Sequence, residues 1–140
     1  MTREALERGA IAVVVALWAA SLALPALDFP GGPTVRGIEV LVRGAQALDS
    51  GVFAWLANPA FLTAAALAWG RSWRSAAAIA ALGSALALTS FGAEGFAERS
   101  GASVPEFTFA PGFYLWLATH FALFACCWPR MFPGRDTARR

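Results

Sequence analysis

Few side chains in this sequence can do chemistry, and they fall into three groups. His120 is the single histidine, and no charged residue lies between Phe107 and Pro129 around it. An imidazole in so apolar a run suits a proton relay or an axial ligand to a haem or chlorin. A haem held by two histidines needs a second one, and a mononuclear metal needs more ligands than one imidazole gives. No cofactor is therefore expected. The structural alternative is a neutral His120 bonded to a neighbouring helix through Ser84, Thr89 or Asn58. Asn58-Pro59 forms the second group. Pro59 has no N–H and crowds the Trp55 carbonyl, so a helix there should kink or break, with Asn58 able to cap a restarted half-helix. Broken helices of this kind make ligand and ion sites in transporters. A plain proline kink, its freed carbonyl bonded to Ser, Thr or water, is the alternative.

The third group is acidic. Glu94 directly follows an uncharged run, and Glu39 and Glu106 lie in the segments on the same side. Converging, the three would form an acidic site open to one aqueous face; apart, they only mark where apolar segments end. Cys126 and Cys127 are adjacent, a separation at which a mutual disulfide is strained, and read as reduced apolar fillers. The sequence carries no HExxH, CxxC, phosphate loop or Ser-His-Asp set in plausible register. An enzyme is not expected.

The elements that must position these groups are four uncharged runs, with helices at about 9–27, 51–70, 75–93 and 111–128. Each approaches the roughly 20 residues a helix needs to cross about 30 Å of hydrocarbon, and none alternates as a barrel strand does. The first run resembles a signal peptide in outline, but Glu4 and Glu7 in its leading segment and Pro25 near its end argue for a retained span. Composition agrees. Of 140 residues, 58% are hydrophobic and 14% charged, the mean hydropathy is +0.56 and the net charge +2. Those values exclude a disordered chain, a coiled coil and a nucleic-acid-binding arm. Every basic residue is Arg. With both termini inside, Arg3, Arg8, Arg71, Arg74, Arg130, Arg135, Arg139 and Arg140 fall on the cytoplasmic face, against Arg36, Arg43 and Arg99 outside.

Between the first two runs, Ile38, Leu41, Val42, Ala45 and Leu48 recur at helical spacing, with Glu39 and Arg43 opposite. They predict an outer amphipathic helix at about 34–48. The apolar groups of the second outer segment, Phe96, Val104, Phe107 and Phe109, predict a cap folded onto it. Ala77, Ala81 and Ala85 repeat every four residues, a small-residue stripe for close helix packing or a subunit contact. Phe53, Trp55, Phe113, Tyr114 and Trp116 fit one interfacial aromatic belt, and Trp69, Trp73 and Trp128 the other.

The strings Phe53-Ala54-Trp55-Leu56-Ala57-Asn58-Pro59 and Pro111-Gly112-Phe113-Tyr114-Leu115-Trp116-Leu117-Ala118, with Gly37-Ile38-Glu39-Val40-Leu41, resemble a group of small bacterial four-span membrane proteins. The resemblance runs from Gly37 onward. It implies a four-span fold, brings no activity or functional residue with it, and directs attention to Asn58, Glu39 and the Tyr114/Trp116 patch.

The expected fold is thus an all-α integral membrane four-helix bundle in the bacterial inner membrane, with an outer amphipathic helix and loop cap. The expected function is that of a non-enzymatic accessory or assembly subunit, in contact with the lipid bilayer and with a membrane protein partner or further copies of itself. A small homo-oligomeric channel or transporter built on the broken second span is the main alternative. A cofactor protein using His120 is the other.

Overall fold

The computed structural model describes residues 2–45, 53–92 and 106–132. Four long helices dominate it. Helix α1 spans Arg3–Ala23 and begins where the Thr2 hydroxyl accepts the Ala5 N–H. It stops short of the expected 27. Pro25 pushes Leu24 into extended backbone (φ −86°, ψ 157°), and Pro25–Asp28 becomes strand β1. The chain then turns at Pro30-Gly31, where Gly31 has φ +71° and the Gly32 N–H reaches the Phe29 carbonyl at 2.9 Å. Proline followed by a glycine of positive φ is the requirement of a type II turn. Strand β2 (Val35–Arg36) returns beside β1, and the seven-residue helix α2 (Gly37–Arg43) follows.

The expected 34–48 helix is therefore shorter and starts later, because its first residues are committed to the ladder. Its apolar face is not covered: Ile38 and Val42 are exposed and α2 buries no residue. Leu48 and the Asp49-Ser50-Gly51 stop lie outside the described residues.

The second run opens as a 3-10 turn, Phe53–Leu56, and continues as α3, Ala57–Trp69. A tight turn leads to α4 (Trp73–Leu88), extended by a 3-10 turn at Thr89–Gly92. Strand β3 (Thr108–Phe109) pairs with β1 opposite β2, giving the sheet order β2-β1-β3. Helix α5, Pro111–Cys127, has proline in its first turn, where the missing N–H costs nothing, and ends in a 3-10 turn at Trp128–Met131. So part of the segment expected to form the cap does fold back, but onto β1 rather than α2. Phe96 and Val104 lie outside the described residues.

The helices pack in the order α1, α5, α4, α3, with α1 and α3 touching less. The sheet closes one end; the start of α1, the α3–α4 turn and the end of α5 form the other. Two helical segments, Arg3–Ala23 and Trp73–Gly92, are long and apolar enough to cross a membrane, and Phe53–Trp69 is a shorter apolar helix.

Packing is close because the facing residues are small. The buried stripe of α4 is Ala76, Ala77, Ala80, Gly83, Ser84 and Ala87. Of the expected stripe, Ala77 is buried, whereas Ala81 and Ala85 are exposed. A repeat of four advances about 40° per step around a helix of 3.6 residues per turn, so it leaves the seam that a mixed three-and-four spacing keeps.

Candidate functional site

Asn58 sits in the first turn of α3, and its side chain collects groups from three elements. The Trp18 indole on α1 donates to Asn58 Oδ1 at 3.3 Å, and the Trp116 indole on α5 donates to the same atom at 2.8 Å. An indole N–H only donates, which fixes the amide oxygen toward both rings. The Asn58 Nδ2 donates to the Trp55 carbonyl at 3.2 Å. That carbonyl is the one Pro59 cannot serve four residues on. Proline therefore lies in the first turn of α3 instead of kinking a continuous helix, and its neighbour's amide repairs the missing bond. Asn58 does not occupy the cap position, which falls on Leu56.

His120 lies one turn past Trp116 on α5. Its Nδ1 is 2.9 Å from the Trp116 carbonyl and its Nε2 is 3.2 Å from the Ala57 carbonyl on α3. Neither Ser84, Thr89 nor Asn58 is its partner. Ser84 and Thr89 return their hydroxyls to Ala80 and Leu86 in their own helix segment. The ring is seated between Trp116 and Phe61, with centroids 4.6 and 5.0 Å away, and Phe61 stacks on Trp18 at 5.5 Å. Only 2% of His120 is exposed, and the nitrogen an axial ligand would use faces the Ala57 carbonyl.

The knot of Trp18, Asn58, Trp116 and His120 thus joins α1, α3 and α5. Among the described residues every buried side-chain nitrogen or oxygen has a hydrogen-bond partner. Among the same residues, no three His, Cys, Asp or Glu side chains converge.

Of the three acidic candidates, Glu39 and Glu106 are among the described residues. Glu39 is exposed and accepts the Arg36 backbone N–H at 3.4 Å, a local contact at the start of α2. Glu106 is exposed just before β3. Since β2 and β3 flank β1 on opposite sides, the two carboxylates follow different edges of the sheet. Glu94 lies outside the described residues.

A second polar region occupies the other end. Glu7 on α1 accepts from Arg3 at 3.3 Å and from Arg130, just past α5, at 3.2 Å. Arg130 also donates to the Cys126 carbonyl, and its guanidinium lies 5.2 Å from the Trp73 ring. Glu4 pairs with Arg8 at 2.9 Å and with Arg71 of the α3–α4 turn at 3.6 Å. Cys127 is buried and Cys126 half-buried, both as free thiols.

Sequence reasoning missed Trp18, gave Trp55 and Trp116 to a belt, and did not pair Glu7 with Arg130. Trp55 instead donates to the Leu41 carbonyl at 2.7 Å, pinning α2 to the turn before α3. The signal for Trp18 was present: Ile11, Val14 and Trp18 follow the three-and-four spacing of a buried face, and all three are buried. No local pattern marks the Glu7–Arg130 contact, which joins residues 123 apart. The chain matches no protein-family model, no curated protein and no solved structure.

Proposed function

We propose that the chain is a four-span inner-membrane protein with both termini cytoplasmic, acting without catalysis as an accessory or assembly subunit of a larger membrane complex. The observation that carries the membrane part is the amount of large apolar surface left outside. Val13, Leu17, Leu62, Trp69, Leu82 and Phe121 are exposed, while the interior combines Ile11, Val14, Trp18, Phe61 and Leu123 with many alanines and with Ser21, Asn58, Thr119 and His120. In water so much exposed apolar surface drives aggregation; in lipid it is solvated, and close packing of small residues holds the helices. Phe53–Trp69 covers about 27 Å at helical rises, close to the hydrocarbon thickness. All the arginines at the described cytoplasmic positions, Arg3, Arg8, Arg71, Arg74 and Arg130, belong to the end opposite the sheet, in keeping with that orientation.

What supports the accessory reading is how the interior polar groups are used. Asn58 and His120 bond to the bundle's own indoles and carbonyls, which serves rigidity rather than turnover. The chain's use is then its outer surface. The test is gentle extraction of the tagged protein from its own membranes, with the particle mass and every co-purifying chain determined. A stoichiometric foreign membrane protein supports the accessory reading. A pure homo-oligomer that conducts ions in liposomes overturns it in favour of a channel. Release of the protein by alkaline washing overturns the membrane reading itself.

A further inference from the structure

The two carboxylates at the arginine-rich end differ in one respect. Glu7 is closed in, with its side chain 10% exposed and Arg130 at 27%. Glu4 is open, at 47%, between Arg8 at 49% and Arg71 at 58%. We propose that Arg8 and Arg71, held side by side by Glu4 with Trp69 at their edge, form a binding site for the phosphate headgroup of an anionic phospholipid. The proposal rests on the membrane reading above.

Glu4 Oε1 lies 2.9 Å from the Arg8 Nη2 and Glu4 Oε2 lies 3.6 Å from the Arg71 Nη1, so one carboxylate stands between two guanidinium groups from α1 and the α3–α4 turn. Two positive charges against one negative leave a surplus of one. Each guanidinium has five N–H donors, and both side chains are about half exposed, which leaves donors beyond the shared carboxylate for a second anion. A phosphodiester carries one negative charge and oxygens spaced for such forks, so it neutralises the surplus and uses the remaining donors.

The position suits a lipid and not only a soluble anion. The Arg8 guanidinium lies 5.9 Å from the Trp69 ring, which is itself about half exposed at the last residue of α3. Exposed indoles of this kind sit at headgroup level, with acyl chains along the apolar helix faces below. Arg71 is also the one non-glycine among the described residues with positive φ, 65°. The turn thus holds an arginine in backbone that glycine would adopt more easily, and the side chain so placed meets Glu4.

The full chain is reconstituted in nanodiscs of equal phosphatidylcholine and phosphatidylglycerol, and retained lipids are identified by native mass spectrometry. The wild type is expected to retain phosphatidylglycerol preferentially. Arg8→Gln with Arg71→Gln should lower that preference about tenfold, Arg8→Lys with Arg71→Lys should lower it less, and Arg36→Gln with Arg43→Gln at the sheet end should leave it unchanged. Equal retention of the two lipids by the wild type overturns the site. So does an equal loss in the sheet-end variant, which marks a bulk charge effect. Helical content by circular dichroism separates lost binding from lost fold; if the double glutamine variant does not fold, the lysine pair carries the test. A protein that fails to float with vesicles of either lipid defeats the membrane reading, a result distinct from insertion without preference.

Discussion

The sheet-proximal half and the arginine-rich end tie the same helices together with different chemistry. In the first, α1, α3 and α5 meet through uncharged amide, indole and carbonyl groups: two indoles on one amide oxygen, and an imidazole with a carbonyl beside each ring nitrogen, to one of which a neutral ring donates its single N–H. In the second, α1 meets α5 and the α3–α4 turn through carboxylates and guanidinium groups. The division follows the cost of charge. A buried ion must recover a large desolvation penalty, whereas a neutral donor on a neutral acceptor recovers a small one. The charged ties accordingly sit at the end of the helices, Glu4 open and Glu7 closed in but held by two arginines, and the uncharged ones lie in the interior.

The harshest way to break the first region is at its backbone contacts. A Cβ on Gly112 would lie 2.5 Å from the Pro25 carbonyl oxygen and 2.9 Å from that of Leu24, neither of which can swing aside. Gly112→Ala should cost about 4 kcal/mol, read as loss of the cooperative unfolding transition followed by tryptophan fluorescence in detergent. Gly9→Ala on α1, with nothing within 4 Å, is the control and should be neutral or slightly stabilising. Next in size is Asn58→Leu. It strands the Trp18 and Trp116 N–H groups and the Trp55 carbonyl, and should cost about 3 kcal/mol. A double-mutant cycle of Asn58→Leu with Trp116→Phe should return a coupling of about 1 kcal/mol; a coupling near zero would mean the indole bond holds nothing.

That comparison also separates what was legible in the sequence from what was not. The uncharged runs were, because lack of charge over 19–23 residues is a local property, and the four long helices fall largely on those runs. Asn58 and His120 stood out because a polar residue in an apolar run costs energy and so has a partner. The partners were not legible. Trp18, Trp116 and the Ala57 carbonyl reach the knot from three helices, and no spacing within one helix encodes the crossing between helices. The sheet was hidden for a different reason. Strands of four, two and two residues are too short to show alternation, and only Pro25 hinted that the first helix ends before its apolar run does. Glu39 stands just past β2 and Glu106 just before β3, at opposite edges of a sheet that the sequence did not reveal.

At the arginine-rich end the expected effect is smaller. Glu7→Gln leaves Arg130 its Cys126 carbonyl and the Trp73 face, and should cost about 1 kcal/mol. Salt sharpens the contrast. Raising ionic strength from about 0.05 to 0.5 M should narrow the gap between wild type and Glu7→Gln, and leave that between wild type and Asn58→Leu unchanged. Equal salt sensitivity in both would refute the division into charged and neutral ties.

The last contrast lies within α4, which among the described residues enters these ties through the Trp73 ring and is otherwise held by shape. Gly83 lets it approach α3 so closely that a Cβ there would lie 3.3 Å from the Ala60 Cβ. A helix seated by fit has one sensitive face and one indifferent face. Ala80→Leu, on the buried stripe, should cost about 2 kcal/mol by overpacking. Ala81→Leu and Ala85→Leu, one turn apart on the outward side, should stay within about 0.5 kcal/mol. Particle mass in mild detergent, measured beside unfolding, decides what the outward face does. Unchanged mass means that these alanines meet lipid alone. A fall in mass with unchanged unfolding would assign them to a contact between copies, the one arrangement in which a small-residue repeat of four on an exposed face has work to do.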